Sequence, residues 1–294
     1  MEAGADPFIE DNYGKKPSDY AEDTDRPEKY LLDSFPHLKP GKSLKAVLID
    51  GMPDYEIFDF IQTGNVDAVK KVLEVEYKDD VSALSRLKNN DGKTLVFFVI
   101  YEIFHCLQID GGDDKPADLN LSLVSKLQQI LKILLSDAYK LDPNNVDRDG
   151  DTPIHVVCEK IYDVFSNHLS SIDSIPSNVV EPLEEVVIIL LQSGAEVSKK
   201  TIFLLHDASR RENVPMIKFL IQKVKIDVDF IGRQGLTPLH FAARSGRLEA
   251  LNCLIDLGAN VNVFDDRGKT PLDAAIVNKK TEIISILEAI MDKK

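Results

Sequence analysis

The chain has 294 residues, 44% of them hydrophobic and 29% charged, which excludes overall disorder, since disorder needs low hydrophobicity together with high charge. Its 35 Lys and Arg against 49 Asp and Glu give a formal net charge of −14, which argues against a general nucleic-acid binder, because phosphate contacts need clustered positive charge. Cys106, Cys158 and Cys253 are far apart and odd in number, so reduced thiols are expected rather than a disulfide framework.

Residues Met1 to Asp11 are acidic and lack the basic and apolar regions of a signal peptide. No apolar run approaches the roughly 20 residues that span a bilayer. A soluble chain in the cytoplasm or nucleus is therefore expected, with no membrane contact, and Asn120-Leu-Ser122 reads as a chance sequon.

Taken in chain order, Gly4 to Ala21 has turn and helix-start composition, and Pro27 to Phe35 supplies a further helix. Pro36, Pro40, Gly41 and Pro53 break the pattern, so residues 36–53 read as a linker. Ile57 to Leu73 holds two helical stretches with Gly64 as the break. Asn90-Asp-Gly-Lys-Thr94 is a turn. Thr94 to Leu107 and Leu123 to Leu135 read as helices separated by the loop-like Asp110-Gly-Gly-Asp-Asp-Lys-Pro-Ala-Asp118. Asp147-Arg-Asp-Gly-Asp-Thr-Pro-Ile-His155 is a turn that opens the next helix. A Ser- and Asn-rich stretch, Phe165 to Asn178, separates that helix from one starting near Glu181.

The clearest unit follows: Gly235-Leu-Thr-Pro-Leu-His240-Phe-Ala-Ala-Arg-Ser-Gly246, Leu251-Asn-Cys-Leu-Ile255, then Gly258-Ala-Asn-Val-Asn262. Thr237 suits an N-cap and Pro238 the first helical position, where no backbone donor is missed. Gly246 breaks the first helix, a second begins near Leu248, and Gly258 suits a left-handed C-cap. The pattern restarts at Gly268-Lys-Thr-Pro-Leu-Asp273-Ala-Ala275, 33 residues after Gly235, and the helix Thr281 to Met291 closes it.

These phased units resemble the ankyrin family, whose signature is Thr-Pro-Leu-His-x-Ala at a 33-residue period. Equivalent positions fall at Gly14, Pro53, Gly92, Gly150, Thr201, Gly235 and Gly268, separated by 39, 39, 58, 51, 34 and 33 residues. The match is strong after residue 145 and weak before residue 90. Leu205-His-Asp-Ala208 keeps the end of the signature without its Gly and Thr-Pro. The resemblance implies an all-α ankyrin-repeat solenoid, helix-turn-helix units joined by β-hairpin loops. About six repeats are expected over 54–294, with inter-helix insertions near 108–121 and 164–180.

Residues 1–35 then read as a partial or capping repeat. A truncated chain, an N-terminal cap, and head-to-tail stacking on the last helix of another copy all stay open. A monomer is expected, self-association being the alternative.

No phosphate-binding glycine loop, paired-Cys zinc motif, metalloprotease motif or nucleophile elbow is present in the sequence. Neither catalysis nor a cofactor or metal is expected. Asn145-Val-Asp-Arg-Asp-Gly150 opens like a calcium loop, but Val156 stands where the bidentate Glu is needed. His155, His206 and His240 fall at the signature histidine and are read as structural. Asn262 sits where some ankyrin proteins are hydroxylated, but Asn260 replaces the acidic residue preferred two places earlier.

The family binds proteins through hairpin tips and the exposed positions of the first helix. Carried over, these give Arg148 and Lys160, then Lys199, Lys200, Arg210 and Arg211. The next repeat gives Arg233, Gln234, Arg244 and Ser245, with Phe230 and Ile231 as an apolar anchor, and the last gives Arg267. Residues 199–247 hold ten Lys and Arg against four Asp and Glu, a net of +6, whereas residues 1–60 carry a net of −7. Arginines pair with carboxylates or phosphates through bidentate bonds. The expected partner is thus a protein with an acidic or phosphorylated segment, nucleic acid being a weaker candidate. The alternative is an inhibitor of a transcription factor or enzyme, similar to I-kappa-B-like ankyrin proteins, that binds through the acidic N-terminal and insert segments.

Overall fold

Helix starts in this chain are set by short polar caps and fixed-φ prolines, and the rest of the architecture follows from stacking the helices they begin. In the computed structural model, residues 53–77, 81–89, 93–109, 119–167 and 177–292 are described. The capping repeat at 1–35, the linker at 36–53 apart from Pro53, which opens a helix, the turn residues 90–92 and the centres of both insertions (110–118 and 168–176) lie outside them. The chain divides into two compact units between Leu95 and Val96.

Within the first unit, helices α1 (Pro53–Gln62) and α2 (Val66–Glu76) pack on each other. Ile57, Ile61, Val69 and Leu73 are fully buried between them. The Asn65 side chain caps α2 by accepting from the Ala68 N–H at 3.1 Å, and Gly64 lies in the turn between the two helices, where the sequence put the break. A short helix, α3 (Val81–Arg86), is followed by an antiparallel bridge between Lys88 and Thr94.

The second unit opens with α4 (Leu95–Cys106) and α5 (Leu121–Leu134) and continues as a stack of helix pairs: α6 (Pro153–Asn167) with α7 (Ser177–Gln192), α8 (Lys199–Arg211) with α9 (Val214–Gln222), α10 (Pro238–Ser245) with α11 (Leu248–Asp256), and α12 (Pro271–Val277) with α13 (Thr281–Met291). The first helices of successive pairs form one row, α6 on α8 on α10 on α12. Contacts of α5 with α7, α9 with α11, and α11 with α13 build the second row. No strand is present among the described residues. The loop tips instead close through single backbone bonds, such as Asp147 N–H to the Asp151 carbonyl at 3.0 Å and Asp265 N–H to the Lys269 carbonyl at 2.8 Å.

The core is aliphatic and continuous between layers. Leu205, Leu239, Ala242, Ala243 and Ala275 are fully buried where α8, α10 and α12 meet. The alanines let the helices approach, because interaxial distance depends on side-chain size at the contact. Gly246 ends α10 at φ +76, in the left-handed region that only glycine enters without strain.

Much of the extra length in the two long repeats is helix rather than loop. Helices α6 and α7 have 15 and 16 residues, against 8 and 9 for α10 and α11. The second insertion as read from sequence, 164–180, therefore contains the last turn of α6 and the first turn of α7. Similarly, α4 and α5 have 12 and 14 residues. No described helix is long and apolar enough to cross a membrane.

Candidate protein-interaction surface

The signature histidines hold each repeat to the loop that follows it. His240 Nδ1 accepts from the Thr237 backbone N–H at 3.2 Å, which leaves the proton on Nε2 to donate to the Lys269 carbonyl at 3.1 Å. His206 makes the equivalent bond to the Phe230 carbonyl at 3.3 Å. Three residues before His206, however, stands Phe203 in place of the threonine, and His206 Nδ1 is buried without a partner. Burial lowers the pKa of both imidazoles and outweighs their bonds to backbone carbonyls. Both rings are neutral at neutral pH as a result. His155 Nδ1 lies 3.2 Å from Thr201 Oγ1. All three histidines are structural links, and no group of described His, Cys, Asp and Glu residues is arranged to hold a metal ion.

The cations named from sequence divide into two sets. Arg210 and Arg211 both pair with Asp207, Arg211 Nε at 2.8 Å from its Oδ2. Tyr162, reaching across from α6, donates to the same carboxylate at 2.5 Å. Burial pushes the Asp207 carboxyl up, but the Tyr162 and Arg210 hydrogen bonds and the two guanidiniums bring its pKa below the usual value. Lys200 Nζ is 2.6 Å from Asp151 and donates to the Asp149 carbonyl at 3.0 Å. Lys160 lies 6.0 Å from the centre of the Phe104 ring. These cations already have internal partners, and exposed pairs of this kind contribute about 0–1 kcal/mol to stability.

Arg148, Lys199, Arg233 and Arg244 are exposed and have no side-chain ion pair among the described residues. Arg267 is exposed beside Asp265, which accepts from the Arg267 N–H at 2.9 Å. Gln234 adopts φ +62, and its carbonyl accepts from the Asp266 N–H at 3.0 Å, joining two successive loop tips. Ser245 is half-buried at the end of α10.

Lys199 and Lys200 are not on a loop tip. Ser198 caps α8 by accepting from the Thr201 N–H at 3.2 Å, so this helix starts five residues earlier than its equivalent, α10. The repeat that lost its Gly and Thr-Pro has turned its tip into an extra stretch of helix.

Among apolar residues, Ile231 is 60% exposed at its loop tip, and Phe264 and Val146 are 64% and 57% exposed at the equivalent positions of other repeats. Phe230 is half-buried against His206, ring centroids 6.1 Å apart. Phe203 and Phe241 pack on the same imidazole at 5.7 and 5.1 Å. Sequence reasoning named Phe230 and Ile231 and missed the other four. The signal available for Val146, Ile231 and Phe264 was their constant place, four residues before Gly150, Gly235 and Gly268.

Stacked helix pairs with a 33-residue period, capped by Thr-Pro and tied by a histidine to the next loop, are the arrangement of ankyrin repeats, and the C-terminal part of this chain carries it. Residues 205–293 match the model for ankyrin repeats in three copies. Among similar proteins, Rabankyrin-5 of Mus musculus is 49% identical over 55 residues, 19% of this chain and 5% of that protein. Ankyrin repeat protein OPG189 of Variola virus is 33% identical over 115 residues, 37% of this chain and 20% of the viral protein. B-cell lymphoma 3 protein homolog of Mus musculus is 25% identical over 166 residues, 48% and 37% of the respective chains. The chain thus spans well under half the length of each.

Proposed function

We propose that this chain is a non-catalytic protein-interaction module, an adaptor that holds an acidic or phosphorylated segment of a partner against the concave face of its C-terminal repeats. Ankyrin repeats are protein-binding scaffolds. The observation that carries the acidic-segment reading is the pair Arg233 and Arg244, exposed guanidiniums without an ion pair among the described residues, in a chain of net charge −14. A guanidinium left unpaired amid so many carboxylates is available to an external anion, which it binds bidentately. Arg210 and Arg211 border the same face and are held in fixed orientation by Asp207. The three free cysteines suit a reducing cytoplasmic or nuclear setting.

Replacing Arg210, Arg211 and Arg244 together by Glu tests this reading. The reversed chain is expected to keep its circular-dichroism spectrum and lose binding to a fluorescein-labelled poly-glutamate peptide. Undiminished binding by the reversed chain refutes it.

A further inference from the structure

Three elements bring aromatic side chains to one place, with the exposed Ile231 next to one of them in sequence. Phe203 comes from α8, Phe230 and Ile231 from the loop tip before Gly235, and Phe241 from α10. The three phenylalanines surround a single buried imidazole, His206, at ring distances of 5.7, 6.1 and 5.1 Å. The loop lies directly on that ring, since a Cβ added at Gly232 would stand 3.0 Å from His206 Cε1. Phe203 is 36% and Ile231 60% exposed, and Phe230 and Phe241 keep part of their surface open. Large apolar residues open to water side by side mark an interaction site more often than scattered single ones do.

Three cations without an ion pair flank this patch. Lys199 lies four residues before Phe203 on α8 and Arg244 three residues after Phe241 on α10, so each shares a helix face with its phenylalanine. Arg233 follows Ile231 by two residues on the tip. None of the three has an ion pair among the described residues. Of the nearby carboxylates, Asp266 lies on the next loop tip beside Gly235, and three others are engaged. Asp207, one turn beyond Phe203, is bound by Tyr162, Arg210 and Arg211. Asp229 accepts from the Asn260 N–H at 3.0 Å, and Asp227 from the Asp229 N–H at 3.0 Å.

From this arrangement we infer a specific docking motif: a partner segment with one bulky apolar residue, aromatic by preference, and carboxylates on both sides of it. The apolar residue covers Phe203, Phe230, Ile231 and Phe241, while the flanking carboxylates meet Lys199, Arg233 and Arg244. The inference rests on the proposed acidic-segment reading and adds the anchor to it. Aromatic rings and arginines dominate binding energy when they lie together at the centre of an interface. A negative chain without the anchor gains only the screened attraction of exposed charges.

The test uses the full chain and three fluorescein-labelled peptides read by anisotropy: Ser-Glu-Glu-Phe-Glu-Glu-Ser, the same peptide with Ser for Phe, and the same peptide with Gln for every Glu. The Phe peptide is expected to bind about tenfold tighter than the Ser peptide, the ratio that covering most of a phenyl ring supplies. Ile231→Ser and Phe203→Ser are expected to erase that ratio and leave the Ser peptide unaffected, whereas Arg244→Gln weakens both acidic peptides. Equal binding of the Phe and Ser peptides overturns the anchor while leaving the acidic-segment reading intact. Equal binding of the Glu and Gln peptides overturns the charged flanks. If none of the peptides binds, both readings fall. Sedimentation of the full chain covers the remaining occupant: a dimer that Ile231→Ser converts to monomer makes the patch a self-contact and overturns the inference.

Discussion

At Gly235 two successive loop tips meet, and replacing it by alanine separates stacking from backbone conformation. Its φ is +74, and a Cβ there would lie 2.5 Å from the Asp266 backbone nitrogen and 2.6 Å from Asp266 Oδ1. Gly268 supplies the control, with φ +70 and nothing within 4 Å of its added Cβ. A left-handed conformation costs a non-glycine residue about 1–2 kcal/mol, so Gly268→Ala is expected to lose about that much. Gly235→Ala carries the same cost plus the overlap with the Asp266 nitrogen, which is backbone and cannot rotate away. Overpacking of this kind costs about 1–3 kcal/mol, giving about 2–5 kcal/mol in total. The Asp266 N–H bond to the Gln234 carbonyl is expected to break with it. Urea denaturation of the full chain, followed by circular dichroism, measures both variants against the parent. Equal losses in the two refute the contact, because only Gly235 has a neighbour to displace.

Other outcomes follow from the caps, the imidazoles and the Asp207 cluster. Thr270→Ala removes the side chain that accepts from the Asp273 N–H at 3.2 Å and is expected to cost about 1 kcal/mol in the same assay. His206 and His240 have depressed pKa values in the folded chain, so the unfolded chain takes up protons first as pH falls. Their contribution is full above about pH 6.5, the unfolded value, and is lost below it as pH approaches their folded pKa. Urea midpoints at pH 7.5, 6.5 and 5.5 should fall in that order, and His240→Gln should reduce the slope. Asp207→Ala frees Arg210 and Arg211 from their shared counter-ion. The variant is expected to bind a poly-glutamate peptide more tightly than the parent by anisotropy, and weaker binding would show that Asp207 acts mainly by positioning the two arginines.

The helix starts at Thr237-Pro238 and Thr270-Pro271, and the stop at Gly246, were readable because each depends on a single residue type with a local reason. The row of α6, α8, α10 and α12 followed from the period. What could not be read was anything decided by a residue absent from the pattern. The repeat around His206 lacks Gly and Thr-Pro, and from sequence alone Lys199 and Lys200 were assigned to a tip. Ser198 instead caps an early helix and takes both lysines into it. The pairing of Asp207 with Arg210 and Arg211 is visible in its three- and four-residue spacing. Tyr162, 45 residues away, is not. Phe203 and Phe241 carry no mark in the sequence that separates them from the buried residues of their helices. Their place beside Phe230 arises only when that loop meets both helices over one imidazole.

The histidine links also have a direction. His206 bonds a carbonyl 24 residues downstream, and His240 one 29 residues downstream, and neither bond runs backwards along the chain. During synthesis, which exposes the N-terminal part first, each of these repeats leaves the ribosome with its ring nitrogen unmet until the next loop appears. A nascent array of this kind is always one loop short of completion. Chains stalled within the roughly 25–30 residues after a histidine leave that ring nitrogen to water, because the loop that would accept from it is also the one that covers it. Burial of the ring and completion of its bond are therefore one event.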